Sequence, residues 1–414
     1  MKNASGESAG VNVERGGAAV AGMMRSMRKV ITAERLFDGS RMVEEPMVEI
    51  EDGRVVSVST RHAGETRGGA QVMDFPGATL APAFFDVHIH GAAGHDVMEA
   101  MPEALETVGR FLASRGTGSF LATTVTAPLD ATLRAVSGLA KLIEAPAREG
   151  VAQPVGIHLE GPFLSHAKRG VQPEEHLLAP DIRTFDRLYE AAEGHVRLIT
   201  LAPELEGAVE LTAHATKRGV RVSLGHSDAK AAETRAAIAA GAVSATHTFN
   251  AMRALDHREP GILGVVLTES GFFSELICDG IHSAPEMARL WWRAKGPERA
   301  ILVTDAMSAA GMPDGEYQLG GFGVKVENGR AMARGVLAGS VLTLDRALEN
   351  LVAFAGAHVD EALRALTANP AAMIGAGVEA GRVTAGAPAN LVAVSAEGKL
   401  VGSMVGGEIV ADSS

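Results

Sequence analysis

The chain has a single cysteine, Cys278, in 414 residues. One thiol excludes an intramolecular disulfide framework and any zinc site built from several thiolates, and it suits a reducing, cytoplasmic compartment. Positive charge is also short: 38 Lys and Arg face 50 Asp and Glu, a net charge of −12. That balance disfavours a general nucleic-acid surface, yet it leaves room for a locally basic pocket that holds an anionic substrate. No run approaches the roughly 20 apolar residues that a membrane span needs. Residues 1–28 are rich in Gly, Ala and Ser, carry Glu7 and Glu14, and lack the continuous apolar stretch of a secretory signal. With Met23, Met24 and Met27 near its end, this leader reads as a disordered tail or a mis-set start.

What is present is ordinary for a soluble globular chain, with 46% apolar and 21% charged residues. A length of 414 residues points to one large domain plus a smaller one. The 48 glycines suit many tight strand-to-helix turns. Residues 29–80 alternate with the period of β structure: Val30–Phe37, then two runs within Met47–Val58 joined at Asp52-Gly53, a hairpin signal. The far end repeats the pattern in Asn390–Val394, Leu400–Met404 and Glu408–Ala411. Residues 29–80 plus 380–414 therefore read as one small β-sandwich domain built from both chain ends.

The middle, residues 81–379, alternates strand and helix. Strands are expected at Phe84–His88, Ser119–Val125, Val155–Glu160, Val196–Leu201, Val220–His226, Val243–Thr248, Ser274–Cys278 and Ala300–Thr304. Helical patterns lie between most of them: Pro102–Ser114, Pro128–Glu144, Ile182–Glu193, Glu204–Arg218, Ala229–Ala239 and Pro285–Ala294. The link between strands six and seven reads less clearly as a helix, Gly264–Ser270. A β-type insertion, Gly311–Ala333, precedes a helix at Val341–Ala355. The alternation argues for βα units and a parallel sheet, and its count and span are those of an α/β (β/α)8 TIM-type barrel.

Chemistry collects where these strands end. Phe84–Gly91 reads Phe-Phe-Asp-Val-His-Ile-His-Gly, and on a strand His88 and His90 share a face. Alone, such a pair among 14 histidines does not establish a ligand role. Further strand ends carry His158-Leu-Glu160-Gly-Pro, Gly-His226-Ser, Thr-His247-Thr-Phe-Asn250, Asp279-Gly-Ile-His282 and Thr-Asp305-Ala. Six of eight expected strands thus deliver metal-capable or titratable groups to the rim where barrel active sites are built. Glu160 in an apolar strand is costly to bury without a metal or cationic partner. His158 shares its face and fits either a barrel-lining or a metal-contacting role; His226 and His247 are each open when taken alone. His62, His95, His195, His214, His257 and His358 lie in expected loops or helices and read as surface or structural.

In this order, HxH, HLEGP, GHS, THxFNAM, REPG, DGIH, VTDA and LAGS resemble the N-acetylglucosamine-6-phosphate deacetylase family of the amidohydrolase superfamily, from about residue 29 to 411. The resemblance implies that Glu160, His226 and His247 bind the principal divalent metal. His88 and His90 would hold a second ion with Glu160 bridging, so one or two ions are implied, Zn or Fe. It implies Asp305 as the catalytic acid and base, and Val171, Gln172, Asn250, Ala251, Arg258 and His282 as substrate contacts, with Leu337-Ala338-Gly339 closing over the sugar. In the family the arginine at the Arg258 position can come from a neighbouring subunit, which points to a homodimer. The implied reaction is metal-dependent hydrolysis of the N-acetyl group of N-acetylglucosamine 6-phosphate. The galactosamine epimer, another N-acyl substrate and a catalytically silent barrel are the alternatives.

The implied roles make chemical sense. Amide hydrolysis near neutral pH needs an activated water, which a bound metal supplies by lowering its pKa to about 7. Asp305 can take that proton and return it to the leaving amine. Arg258 offers a forked guanidinium to a phosphate. One segment departs from the family. Where it reads KxGAH, this chain has Lys168-Arg-Gly-Val-Gln172. Gln172 can donate through its amide but cannot titrate, and losing an oxyanion donor costs about 10²–10³ in rate. His166 and His176 are the nearby replacements to consider.

Overall fold

The structure, a computed structural model, describes residues 28–61, 70–377 and 380–412. The leader expected over residues 1–28, except Arg28, and His62 lie outside the described residues. The eight central strands form one parallel sheet in sequence order: β1 (Phe84–Ile89), β2 (Thr117–Thr124), β3 (Gln153–Glu160), β4 (Val196–Leu201), β5 (Arg221–Leu224), β6 (Ser244–Ala245), β7 (Phe273–Ile277) and β8 (Ala300–Val303). β1 and β2 are buried along their whole length, as expected of strands covered on both faces.

The ring closes through backbone bonds just past the strands. Asp305 N–H donates to His88 O at 2.9 Å, and His90 N–H donates to Ala306 O at 2.8 Å. Closure itself therefore sets Asp305 beside His88 of β1 and His90 just past its end. The connecting helices are α1 (Pro102–Ser114), α2 (Leu129–Ile143), α3 (Ile182–Ala191), α4 (Ala208–Lys217), α5 (Ala231–Ala240), α6 (Gly261–Thr268), α7 (Pro285–Arg299) and α8 (Leu344–Ala355). In α1, Pro102 opens the helix without wasting a donor, and Leu105, Val108 and Leu112 form the buried stripe. The link between strands six and seven, the faintest helical pattern in the sequence, is α6.

β5 and β6 are shorter than the sequence pattern suggested. They stop at Leu224 and Ala245, so His226 and His247 stand in the loops beyond rather than on the strands. The cause is local: both residues adopt left-handed backbone, with φ of 46° and 29°, which no strand can continue through.

Both chain ends meet in one eight-stranded sheet. Gln71–Pro82 is its central link, running parallel to Lys29–Phe37 and antiparallel to Leu391–Val394. Pro46–Glu51 and Arg54–Thr60 flank the Asp52-Gly53 turn. Ile31, Leu36, Val48, Leu80, Leu391 and Met404 from both ends share one buried cluster. The insertion before α8 is an antiparallel sheet of Gly315–Leu319, Phe322–Glu327, Arg330–Ala333 and Val336–Leu337. Its apolar face packs on Val125, Val171 and Met307, at the mouth of the barrel.

Candidate metal centre and active site

Glu160, the last residue of β3, is 3% exposed and lies at the centre of an imidazole cluster. Its Oε1 is 3.1 Å from His247 Nε2, 3.2 Å from His226 Nε2 and 3.3 Å from His88 Nε2. Its Oε2 is 3.5 Å from His90 Nε2 and accepts from Gln172 Nε2 at 2.6 Å. Two overlapping groups could each hold an ion: His88, His90 and Glu160, and Glu160, His226 and His247.

The far sides of the rings show what the near sides offer. His226 Nδ1 lies 3.0 Å from Lys168 O, and His90 Nδ1 lies 3.0 Å from Thr123 O. A carbonyl can only accept, so both Nδ1 atoms carry protons, and each Nε2 faces Glu160 either as a donor, when the ring is protonated, or as a lone pair open to a cation. His226 Nε2 also stands 3.1 Å from His247 Nε2. Nitrogens facing a carboxylate and one another need a proton or a metal cation between them, and nitrogen plus oxygen donors suit a divalent transition metal. The residues present fit a divalent metal, with carbonyls behind the rings orienting them.

Asp305 completes the cluster. Its Oδ1 is 3.0 Å from His90 Nε2 and 3.4 Å from His88 Nε2. Burial pushes this carboxyl up, but the neighbouring His88 and His90 outweigh burial and hold it below the usual carboxylate range. For Glu160, too, burial is outweighed by His88, His226 and His247, which draw it well below that range. His226, His247, Phe249, Ala251 and Asp305 all have positive φ, between 29° and 82°. Left-handed non-glycine residues cost on the order of 1–3 kcal/mol each, and strain of this kind persists where function requires the geometry.

A cavity of about 270 Å³ opens over this cluster. His90, Glu160, Val171, Gln172, His226, His247, Asn250, Ala251, His282, Asp305, Leu337 and Gly339 line it, so most of the expected contacts converge. His282 is held from behind, its Nδ1 2.6 Å from Asp279 Oδ2. Three expected residues sit elsewhere. His88 is wholly buried behind the cavity floor. Ala338 is also wholly buried, in the apolar cluster with Met307 and Val324, because its N–H pairs with Ala331 O inside the insertion sheet. Arg258 is exposed on the loop after β6, outside its own chain's cavity. Neither proposed stand-in for the family histidine reaches the cavity: His166 is largely exposed beside Glu174, and His176 borders a separate recess.

His158 resolves to the barrel-lining alternative. It bonds Thr200 Oγ1 at 2.8 Å, and burial, then His88, holds its pKa well below the usual histidine value. His95, His195, His214, His257 and His358 each pair with a carboxylate away from the cluster. Sequence reasoning missed Glu275 and Asp86. Glu275 on β7 is wholly buried with Oε2 3.4 Å from His88 Nδ1. Asp86 accepts from Thr304 Oγ1 at 2.5 Å and from His88 N–H at 3.2 Å, and burial pushes its carboxyl up to about 7. The signal was available: each is a carboxylate inside an apolar strand, the same feature that singled out Glu160.

A model described as the amidohydrolase family matches residues 79–410. The chain is 38% identical to an N-acetylgalactosamine-6-phosphate deacetylase of Escherichia coli O157:H7, covering 84% of this chain and 90% of that one. It is 36% identical to an N-acetylglucosamine-6-phosphate deacetylase of Bacillus subtilis, covering 84% and 88%. Among solved structures, a mutant of the N-acetylglucosamine-6-phosphate deacetylase from Mycobacterium smegmatis, in complex with N-acetylglucosamine 6-phosphate, superposes with a TM-score of 0.85. That match has 35% identity and covers 93% of this chain and 100% of that one. The chain belongs to the amidohydrolase family, among the N-acetylglucosamine-6-phosphate deacetylases and their relatives.

Proposed function

We propose that the protein hydrolyses the N-acetyl group of N-acetylglucosamine 6-phosphate to glucosamine 6-phosphate and acetate, in amino-sugar catabolism. The observation that carries this reading is the meeting of Glu160, His226, His247 and Asp305 around one cavity whose other walls present Asn250, Ala251 and His282. The relatives named for this reaction support the choice of substrate. The strained backbone at the proposed ligands argues against a silent barrel.

Glu160, His226 and His247 would hold a divalent ion, Zn or Fe, with His88 and His90 available to a second. When bound, the ion supplies acidified water, with a pKa of about 7, and polarises the acetyl carbonyl. The remaining work falls to the chain. Asp305 takes a proton from the attacking water and returns it to the departing amine nitrogen, as base and then acid. His282, whose Nδ1 is steadied by Asp279, lines the cavity with Asn250 and Ala251, and these would contact the sugar phosphate. Val171, Leu337 and Gly339 narrow the cavity around the sugar.

The exposed position of Arg258, away from its own cavity, supports a homodimer in which Arg258 of the partner subunit reaches the phosphate. Residues 81–379 would act as the catalytic barrel, with 29–80 plus 380–414 as the smaller domain. A lone, buried thiol and a phosphorylated substrate suit the cytoplasm; no helix among the described residues is long and apolar enough to cross a membrane. The second reading is the galacto epimer, favoured by the 38% identity to the enzyme named for it.

Acetate release from N-acetylglucosamine 6-phosphate, its galacto epimer and unphosphorylated N-acetylglucosamine decides among these. The gluco phosphate should be fastest. Faster turnover of the galacto phosphate would establish the second reading, and equal turnover of the unphosphorylated sugar would remove the phosphate contacts.

A further inference from the structure

Gln172 is committed at both ends of its amide. Its Oε1 accepts the backbone N–H of Thr126 at 2.8 Å, and its Nε2 donates to Glu160 Oε2 at 2.6 Å. A backbone N–H can only donate, so the amide cannot be turned over, and its donor end must face Glu160. Gln172 is 2% exposed, so neither bond is readily exchanged for water. The two oxygens of Glu160 are consequently unlike. Oε1 faces His247, His226 and His88 at 3.1, 3.2 and 3.3 Å, whereas Oε2, the oxygen on the His90 side at 3.5 Å, is held by Gln172.

We propose that Gln172 is a positioning residue of the metal centre. By holding Oε2 of Glu160, the oxygen on the His90 side, it leaves Oε1 as the free oxygen, nearest His247 and His226. The chain then binds one divalent ion tightly there, and a second, through His88 and His90, more weakly. The proposal rests on the metal reading of the site and extends it to which ion is favoured and why. It also gives the departure at this position a role: the amide acts on the carboxylate that binds metal, rather than on the substrate carbonyl.

The test uses full-length protein stripped with chelator, then titrated by calorimetry with Zn²⁺ alone, and with Co²⁺ alone followed by its visible absorption. Wild type should take up one ion at least tenfold more tightly than any second. Gln172→Leu and Gln172→Asn, the latter too short to span both partners, should each weaken the first ion by about 10–100-fold, the usual cost of losing a group that orients a ligand. The Co²⁺ spectrum should shift in both. Circular dichroism identifies a variant that fails to fold, in which case the other decides. Folded variants that bind the first ion as tightly as wild type overturn the proposal, whatever their activity. Wild-type protein that binds neither metal overturns the underlying metal reading, a separate failure visible before any variant is compared.

Discussion

Glu275 Oε2 lies 3.4 Å from His88 Nδ1, and both side chains are wholly buried. The same oxygen accepts the backbone N–H of His247 at 3.3 Å. One carboxylate on β7 thus connects the histidine of β1 to the loop that carries His247. A carboxylate behind a ligating imidazole fixes its tautomer and increases its basicity.

Replacing Glu275 should therefore be felt at the metal without touching the substrate. Glu275→Gln keeps the shape and removes the charge. Ion binding through His88 should weaken by about 10–100-fold, read by competition with a chromogenic chelator. Unchanged affinity would reduce Glu275 to a packing role.

Asp305→Asn is the cleanest removal of the proposed acid and base. Its φ is 50°, and asparagine tolerates left-handed backbone, so the fold should survive the change. Loss of general acid–base catalysis predicts a kcat lower by about 10²–10⁴-fold, with metal content retained. Wild-type turnover in this variant would exclude Asp305 from proton transfer.

Gly225→Ala tests how tightly the two ligand loops are packed. A Cβ at Gly225 would stand 2.8 Å from Thr246 Cβ and 3.1 Å from Thr200 Cγ2. Gly225 precedes His226 and Thr246 precedes His247, so the added methyl pushes both proposed ligands from one point. Overpacking of this kind costs about 1–3 kcal/mol. Thermal melts should fall and first-ion affinity should drop together; a melt matching wild type would mean the loops yield freely.

Lys295 predicts a pH signature away from the active site. Its Nζ donates to Val266 O at 2.9 Å and Glu269 O at 2.8 Å, closing the C-terminal end of α6. Burial lowers its pKa from 10.5 to about 8. Between those values the unfolded chain holds the proton and the folded chain does not, so stability rises with pH across the window and lies lower below pH 8. Urea melts of wild type minus Lys295→Met from pH 7 to 11 should show that slope, and a flat difference would refute it. At the alkaline end, where the buried amine is neutral, the variant should be less stable by about 1–3 kcal/mol, from carbonyls left without donors.

Much of the barrel was legible because its signals are local. Alternation of apolar runs with 3.6-period stripes marked eight strands and most helices, and Pro102 or the Asp52-Gly53 turn marked boundaries within a few residues. The short strands β5 and β6 were overextended, since the strand-like pattern runs on to His226 and His247, where the backbone turns left-handed. Nothing in residue type announces that turn.

The sequence by itself determined the chemistry on offer: paired histidines at the end of β1, a carboxylate too costly to bury alone, an aspartate just past β8, and a motif order specific enough to name a family. Tertiary structure decided which of these meet. Barrel closure bonds Asp305 N–H to His88 O and so brings together groups more than two hundred positions apart. The folded chain also places Glu275 behind His88, leaves Arg258 outside its own cavity, and through Thr126 N–H turns the amide of Gln172 toward Glu160. The physical reason is that a strand's period says which face a side chain takes, whereas its partners depend on register, twist and closure across the whole ring.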